Sequence, residues 1–579
     1  MKFEVWAPKA EKVVLQVAGQ DHALHRGNYG WWDCDLPAVG GGVDYAYQLD
    51  GEGPLPDPRA PWQPYGVDGP SRTVDHGAFA WTDTLWQAKP LSAALIYELH
   101  IGTFTPEGTF DAAIGKLDHL VELGVTHVEV MPVAEFRGQR GWGYDGVDLY
   151  APHHAYGGPD GLKRFVNACH ERGLAAILDV VYNHLGPSGN YLSKFGPYFT
   201  DRHHTPWGSS LNFEGPHSDE VRRFFVDNAL MWLRDYHFDG LRLDAVHAIV
   251  DTSAVHIIEQ IATEVDELKA HLGRHLVLIA ESDLNDPRVV RPWELGGFGV
   301  DAQWSDDIHH ALHTVLTGEH DGYYSDFGRI ADLAAAMKRP YVYAGRHSQF
   351  RQRTHGRPAI GLQGSKFVAY LQNHDQLGNR ALGDRIGHLS SAGLQKIGAA
   401  LIHLSPFIPM LFQGEEWGAT APFQYFIDFH DDPELAKAVS NGRRKEFAAF
   451  GWKPEDVPDP QSIDTFRRSK LDWDELQRTA HREMLEWHKA LVRLRRQVNG
   501  LTDGRLDAIG TDFDEQARWL CVHRGPITIA CNFANQPREV PLAANAVRDL
   551  LLASSNGVGV DGNHAILPGE SMAVFGPRF

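Results

Sequence analysis

Four apolar runs in this 579-residue chain stop at a carboxylate. Leu174 to Leu178 leads into Asp179 and on to Asn183-His184. Leu241-Arg242-Leu243 leads into Asp244 and His247, Leu276 to Ala280 into Glu281-Ser282-Asp283, and Phe367 to Leu371 into His374-Asp375. Any one such acid can serve as a helix N-cap or an ion-pair partner. Four at the ends of four runs point to one shared site. Several carboxylates with an arginine and histidines suit glycoside hydrolysis, which needs one carboxyl ionised and another protonated. Arg242 lies two residues before Asp244, on the same side of a strand. Its charge there keeps Asp244 ionised, as a nucleophile requires. Glu281 follows an apolar run and faces other carboxylates, and both effects raise its pKa, as a general acid needs. A metal-dependent hydrolase also draws on His and Asp at strand ends. It calls for a His-X-His pair on the first strand, where this chain carries Glu98-Leu99-His100.

To gather four strand ends around one point, the chain must repeat strand and helix, and from about residue 90 it does so. Ala94 to His100 reads as a strand buried on both faces. A helix over 110–123 follows, stopped by Gly124, and Val125 to Met131 is the second strand. Helices over 161–172, 219–236 and 254–272 precede the strands that end at Asp179, Asp244 and Glu281. Later strands fall at 302–305, 367–371 and 408–412. Eight such units imply an α/β fold, the (β/α)8 TIM barrel, whose C-terminal strand ends build the active site. The spacing agrees: 37 residues separate Asp244 from Glu281, one unit, and 94 separate Glu281 from Asp375, two units with a long loop. A doubly wound open sheet is the rival, but no Gly-rich phosphate loop follows any strand. The barrel is assigned residues 90–495, with a loop subdomain over 185–218. Residues 1–89 read as an N-terminal β-sandwich closed by a Pro-rich connection, and 496–579 as a small C-terminal β domain. In the latter, Cys521 and Cys531 are placed to face each other across a hairpin.

Lys and Arg number 54 against 75 Asp and Glu, a net charge of −21. A surface that acidic repels phosphate, so nucleic acid and anionic membranes are excluded as partners and a neutral substrate fits. The 16 tryptophans suit stacking on sugar faces as well as large cores. No run approaches the ~18 to 20 apolar residues of a membrane span, and the N-terminus lacks a signal-peptide pattern. The four cysteines are scattered. A cytoplasmic chain with reduced thiols is expected, with no metal and no cofactor.

The four acid-ended segments, in this order on these strands, resemble the four signature regions of the α-amylase superfamily of retaining glycosidases, glycoside hydrolase family 13. Gly143-Tyr144-Asp145, with Tyr150 and Gly157-Gly158, resembles the loop after that family's second strand. The resemblance implies Asp244 as nucleophile, Glu281 as acid/base and Asp375 as a grip on sugar hydroxyls. It implies His184, Arg242 and His374 around the −1 sugar, Tyr144 stacked beneath it, and Asp179 and Asn183 as loop supports. Further segments look like the branch of the family that releases trehalose from malto-oligosyltrehalose by cutting the adjacent α-1,4 bond. They are Tyr97 to Phe110, Gly141 to Gly146, Glu281 to Arg288, Gly322 to Gly328 and Ser469 to Trp473. Residues 1–89 resemble the glycogen-binding-like domain of branching and debranching relatives. The implied substrate is malto-oligosyltrehalose or a related α-glucan, and functional coupling to a malto-oligosyltrehalose synthase is implied by the family alone. A debranching or branching enzyme, and a non-catalytic glucan-binding protein, stand as alternatives. The intact Asp244, Glu281, Asp375 set argues against the latter.

On the acceptor side two readings stand. His247, Asp283, Asn285, Asp286 and Arg288, with the loop of Arg346, Arg351, Arg353 and Arg357, either clamp the leaving disaccharide or cap helices and pair with the acidic surface. Trp207 and Phe213 either stack on sugar or fill core. So do Trp6, Trp31 and Trp32 in the first domain.

Overall fold

The computed structural model describes residues 1–205, 207–448, 452–542 and 549–578. Eight parallel strands close into a barrel: Ile96–Leu99 (β1), His127–Val130 (β2), Ala175–Val180 (β3), Gly240–Leu243 (β4), Val277–Ala280 (β5), Ala302–Trp304 (β6), Phe367–Tyr370 (β7) and Ile408–Phe412 (β8). Each pairs with the next in sequence, and β8 returns to β1. The runs are apolar almost throughout because both faces are covered, and two-residue alternation sorts the side chains. Tyr97, Leu99, Val128, Leu178, Leu241 and Leu278 pack with the helices. Ile96, Ile177, Ile279, Trp304, Val368 and Met410 form a separate cluster that fills the lumen. The next inward positions toward the mouth carry Glu98, Glu129, Asp179 and Arg242, each 2% exposed or less. A polar layer therefore rests on an apolar one beneath the C-terminal mouth.

Helices Gly158–Glu171, Ser218–Arg234 and Ile257–Leu272 cover the strands much as expected. The helix expected over 110–123 is instead two, Phe110–Ile114 and Leu117–Leu123. Gly115 ends the first, its N–H turning back to the carbonyls of Ala112 and Ala113. Glycine's low helix propensity explains the break. No helix among the described residues is long and apolar enough to cross a membrane.

The insertion after β3 holds a short helix, Leu192–Phe195, and a hairpin, Phe199–Thr205 with Gly208–Leu211. The N-terminal strands grip it. Trp6 packs edge-on against Tyr198 at 5.3 Å, while Arg59, in the Pro-rich connection, reaches past the insertion to Asp227 of helix Ser218–Arg234 at 2.8 Å and the Tyr150 hydroxyl at 3.0 Å. Trp6 and Trp32 are 3% and 5% exposed, and Phe213 is 2% exposed, so these three are core. Trp31 is half-buried under the Arg59 guanidinium.

The C-terminal strands Ile509–Asp514, Trp519–Arg524 and Ile527–Asn532 form one sheet with Leu550–Ala553 and Ser571–Phe575. Here the expectation for the cysteines is corrected. Cys521 stands opposite Ala530, and Cys531 opposite Leu520. One residue of offset sends the two thiols to opposite faces of the sheet. All four cysteines are free and buried. Ellman's reagent should therefore find no reactive thiol in the native protein and four after unfolding in guanidinium. A disulfide between Cys521 and Cys531 would lower the second count to two.

Candidate active site

Arg242 organises the mouth. Its Nη1 donates to Asp179 Oδ2 at 2.6 Å and Asp244 Oδ1 at 2.9 Å, and its Nη2 to Glu281 Oε2 at 2.7 Å. The guanidinium lies 4.2 Å from the centroid of the Trp304 ring, a favourable seat for a cation. Asn183 Nδ2 donates to Asp244 Oδ2 at 2.6 Å and to the Asp244 carbonyl at 2.9 Å. Asn183 thus acts on Asp244 directly. The Ala245 N–H donates to Glu281 Oε2 at 2.9 Å from a left-handed residue, φ 39°, backbone strain of the kind found at functional sites. Burial raises the pKa of Glu281; Arg242 opposes this and Asp244 adds to it. Burial also pushes Asp179 up to about 7, against the pull of Arg242. Asp375 is raised by burial and by Glu281, against His374.

The remaining −1 candidates gather at the same point. The Tyr144 hydroxyl donates to Asp179 Oδ2 at 2.6 Å and lies 2.7 Å from His374 Nε2, with the two rings stacked at 5.1 Å. Gly143, at φ 102°, places that tyrosine; a Cβ there would meet the Pro132 carbonyl at 2.1 Å. His184 Nε2 lies 3.0 Å from the Tyr144 carbonyl. Trp207, 49% exposed, stacks on His184 at 5.2 Å. Asn379 Nδ2 donates to Asp375 Oδ1 at 3.2 Å.

On the side of Glu281, Asp283 sits between His247 Nε2, at 3.8 Å, and Arg351 Nη1, at 3.0 Å. Of the loop arginines it is Arg351 that reaches Asp283, while Arg353 is exposed on the hairpin of Arg346–Ser348 and Arg353–His355. Asp286 serves its own turn, accepting from the Arg288 N–H at 3.0 Å and Nε at 2.7 Å. Asn285 is buried and donates to Asp307 at 3.0 Å. Arg346 pairs with Asp332. Asn285, Asp286, Arg288 and Arg346 are thus each engaged in a cap or a pair within the chain. Glu98, Glu129 and Trp304 enter the site's lower layer without having been singled out. An acid in the middle of a strand buried on both faces was the signal for the first two.

The family model for the alpha amylase catalytic domain matches residues 75–207, and that for a domain of unknown function, DUF3459, matches 504–574. The crystal structure of an alpha-amylase candidate from Salmonella typhimurium superposes with a TM-score of 0.91 at 39% identity, covering 99% of this chain and 97% of that one. A malto-oligosyltrehalose trehalohydrolase from Rhizobium sp. (strain M-11) is 48% identical over 99% of this chain and 97% of its own length. One from Mycobacterium tuberculosis is 50% identical over 94% and 95%. The chain belongs to the malto-oligosyltrehalose trehalohydrolases. It is a glycoside hydrolase on the α-amylase barrel, and the fold and family expected above both stand.

One cluster among the described residues has metal-like composition. Glu135, His153 and His154 bring ligand atoms within 4.8 Å of one another. His153 Nδ1, however, accepts the Ala155 N–H at 3.1 Å, so its neutral ring carries the proton on Nε2 and cannot ligate there. His154 Nδ1 bonds Glu135 Oε1 at 2.7 Å. The trio is a clasp between strands Ala134–Glu135 and Asp148–Pro152, whose connection carries Tyr144.

Lysine is a point charge and cannot fork to three carboxyls. Arg242→Lys should therefore lower kcat by about 100- to 1,000-fold, with the circular dichroism of the folded enzyme retained. A folded variant with near-normal kcat would remove Arg242 from its organising role.

Proposed function

We propose that the chain hydrolyses the α-1,4 bond next to the terminal trehalose of malto-oligosyltrehalose, releasing trehalose and a malto-oligosaccharide with retention at the anomeric carbon. The observation that carries this is Asp244 and Glu281 sharing one guanidinium at neighbouring strand ends, in a chain whose near-full-length relatives are named for that activity. Retaining glycosidases hold their two carboxyls about 5 to 5.5 Å apart, and inverting ones about 6.5 to 9.5 Å. A guanidinium that bonds both acids favours the shorter gap.

Asp244, oriented by Arg242 and Asn183, attacks the anomeric carbon as Glu281 gives its proton to the leaving oxygen. Trehalose departs as an alcohol. A water then loses its proton to Glu281 and opens the glycosyl-enzyme, which returns both carboxyls to their starting states. Asp375 and His374 grip the −1 sugar, with Tyr144 beneath it. On the acceptor side Asp283 offers acceptors, and its neighbours His247 and Arg351 offer donors, to trehalose, a sugar with hydroxyls and no reducing end. Trp207 walls the cleft beside His184. Related α-glucans are weaker substrates in this reading. A synthase that makes malto-oligosyltrehalose supplies the enzyme, and four buried free thiols fit a reducing cytoplasm.

Incubation with maltotriosyltrehalose should release trehalose rapidly and in excess over any cleavage of maltopentaose, with an α-anomeric malto-oligosaccharide as the other product. Glu281→Gln should cut kcat by about 100- to 10,000-fold while substrate still binds. Because Glu281 must begin protonated and burial raises its pKa, kcat/KM should fall on the alkaline side at a pH above the ordinary glutamate value of about 4.3. Cleavage of maltopentaose or branched glucan without trehalose release would overturn the assignment.

A further inference from the structure

Beneath the reacting carboxyls a chain of contacts runs down into the barrel, with His374 at its centre. His374 Nδ1 meets Glu98 Oε1 in a short contact, and the His374 backbone N–H donates to Glu98 Oε2 at 3.2 Å. His374 Nε2 lies 2.7 Å from the Tyr144 hydroxyl and 3.6 Å from Asp375 Oδ2. The rest of the network sets the direction of each proton. Arg242 and Tyr144 both reach Asp179 Oδ2 at 2.6 Å, while Asp179 Oδ1 is buried without a partner. Oδ2 is thus an acceptor twice over, and the Tyr144 hydrogen points at it. The Tyr144 oxygen is left to accept, so His374 Nε2 donates. His374 Nδ1 faces a carboxylate and donates as well. A ring that donates from both nitrogens is an imidazolium.

We propose that Glu98 is a positioning residue that holds His374 as a doubly donating cation, and through it fixes Tyr144 and Asp375 around the sugar. This rests on the roles given above to Asp244 and Asp375. A neutral His374 has one nitrogen that only accepts, so it forfeits either Glu98 or Tyr144. Its surroundings favour the charge. His374 is 1% exposed. The charged and titratable groups that face it are Glu98 and His100 from β1 and its end, Glu129 from β2, Tyr144, Asp179, Arg242 and its neighbour Asp375. Burial works to lower its pKa; Asp375 and Glu98 outweigh burial and bring it to about 9. Glu129, paired with Glu98 across β1 and β2, has both oxygens buried without partners. Burial, with Glu98 adding, raises its pKa well above the carboxylate range. Glu129 is the protonated acid of the layer, while both Glu98 oxygens face donors of His374.

Glu98→Gln keeps the shape and removes the charge. Trehalose release at neutral pH should fall about 10- to 100-fold in kcat, with KM moving less than about threefold. The loss should shrink on acidification. The wild-type ring gives up its proton only near pH 9; without the anion it does so at lower pH, and acid restores it. The alkaline limb of kcat therefore moves toward acid in Glu98→Gln. In Glu98→Asp, which keeps the charge but shortens the reach, kcat falls and the limb stays in place. A loss in Glu98→Gln that is equal at every pH, or no loss, overturns the proposal. Neutron diffraction from wild-type crystals at neutral pH tests it even where a variant fails to fold. Deuterium on both ring nitrogens of His374 is expected, and deuterium on one alone overturns it. An enzyme that releases no trehalose would sink the proposed function and leave this reading of the ring to stand or fall by itself.

Discussion

Arg242 is fully buried and always charged, which the structure tolerates because three carboxyls answer it. A lone ion in such a place costs several kcal/mol in lost hydration. Asp179 on β3, Asp244 just past β4 and Glu281 just past β5 belong to three adjacent strands, and the register of those strands brings all three to one guanidinium. The requirement reaches outward from there. Strand ends must align to within one residue, since a slip by one turns every side chain to the other face. The barrel must close, so that Asp375 after β7 and Tyr144 after β2 meet the same layer from opposite sides. Trp304 on β6 then closes the floor beneath the cation.

Around this one arginine the lumen holds more acid than it can ionise. Six carboxyls, those of Glu98, Glu129, Asp179, Asp244, Glu281 and Asp375, share Arg242 and His374 as cations. In a medium of low polarity such crowding retains protons. Glu129 keeps one deep in the barrel, where both its oxygens lack donors. Asp179 is pushed up to about 7, and Glu281 is raised as well. The proton that a general acid needs is therefore a property of the whole cluster. Glu281 retains it at the mouth, where a leaving oxygen can receive it, while Asp244 takes donors from Arg242 and Asn183.

Much of this was legible in the sequence, because long apolar runs, glycine stops and terminal acids are local signals. The eight strands, the order of the acids and the Arg242–Asp244 pair needed nothing else. What escaped depends on which face a residue takes and on exact register. Glu98 and Glu129 sit inside runs buried on both faces, where alternation carries no contrast between in and out. Cys521 and Cys531 look paired by spacing, yet the hairpin register sets them one residue apart. Arg351 and Arg353 are equivalent in composition. Only the short hairpin, turning through a left-handed Gln352 at φ 53°, brings the first to Asp283 and leaves the second in water. The tryptophans of the N-terminal domain were ambiguous because an aromatic ring serves core and sugar alike.

The fate of Trp6 shows what the flanking β domains do for the cleft. Its ring packs against Gly196, where a Cβ would lie 2.5 Å away, and against Tyr198. Both belong to the insertion whose hairpin carries Trp207. At the other end, Arg495 donates to the carbonyls of His403, Ser405 and Phe407, and Arg524 to those of Leu404, Ser405 and Leu501. All but that of Leu501 lie at the end of helix Ala392–His403 and in its approach to β8, where the last turn of a helix leaves acceptors unfilled. Two cations there also meet the negative end of the helix dipole. The flanking segments thus help to hold two irregular stretches of the barrel, the long insertion after β3 and the entry to β8. Loops in a barrel mouth are well placed only if their far ends are fixed, and here a tryptophan from outside the barrel fixes the insertion, while Arg524 from outside it and Arg495 at its last helix fix the opposite, N-terminal end of β8.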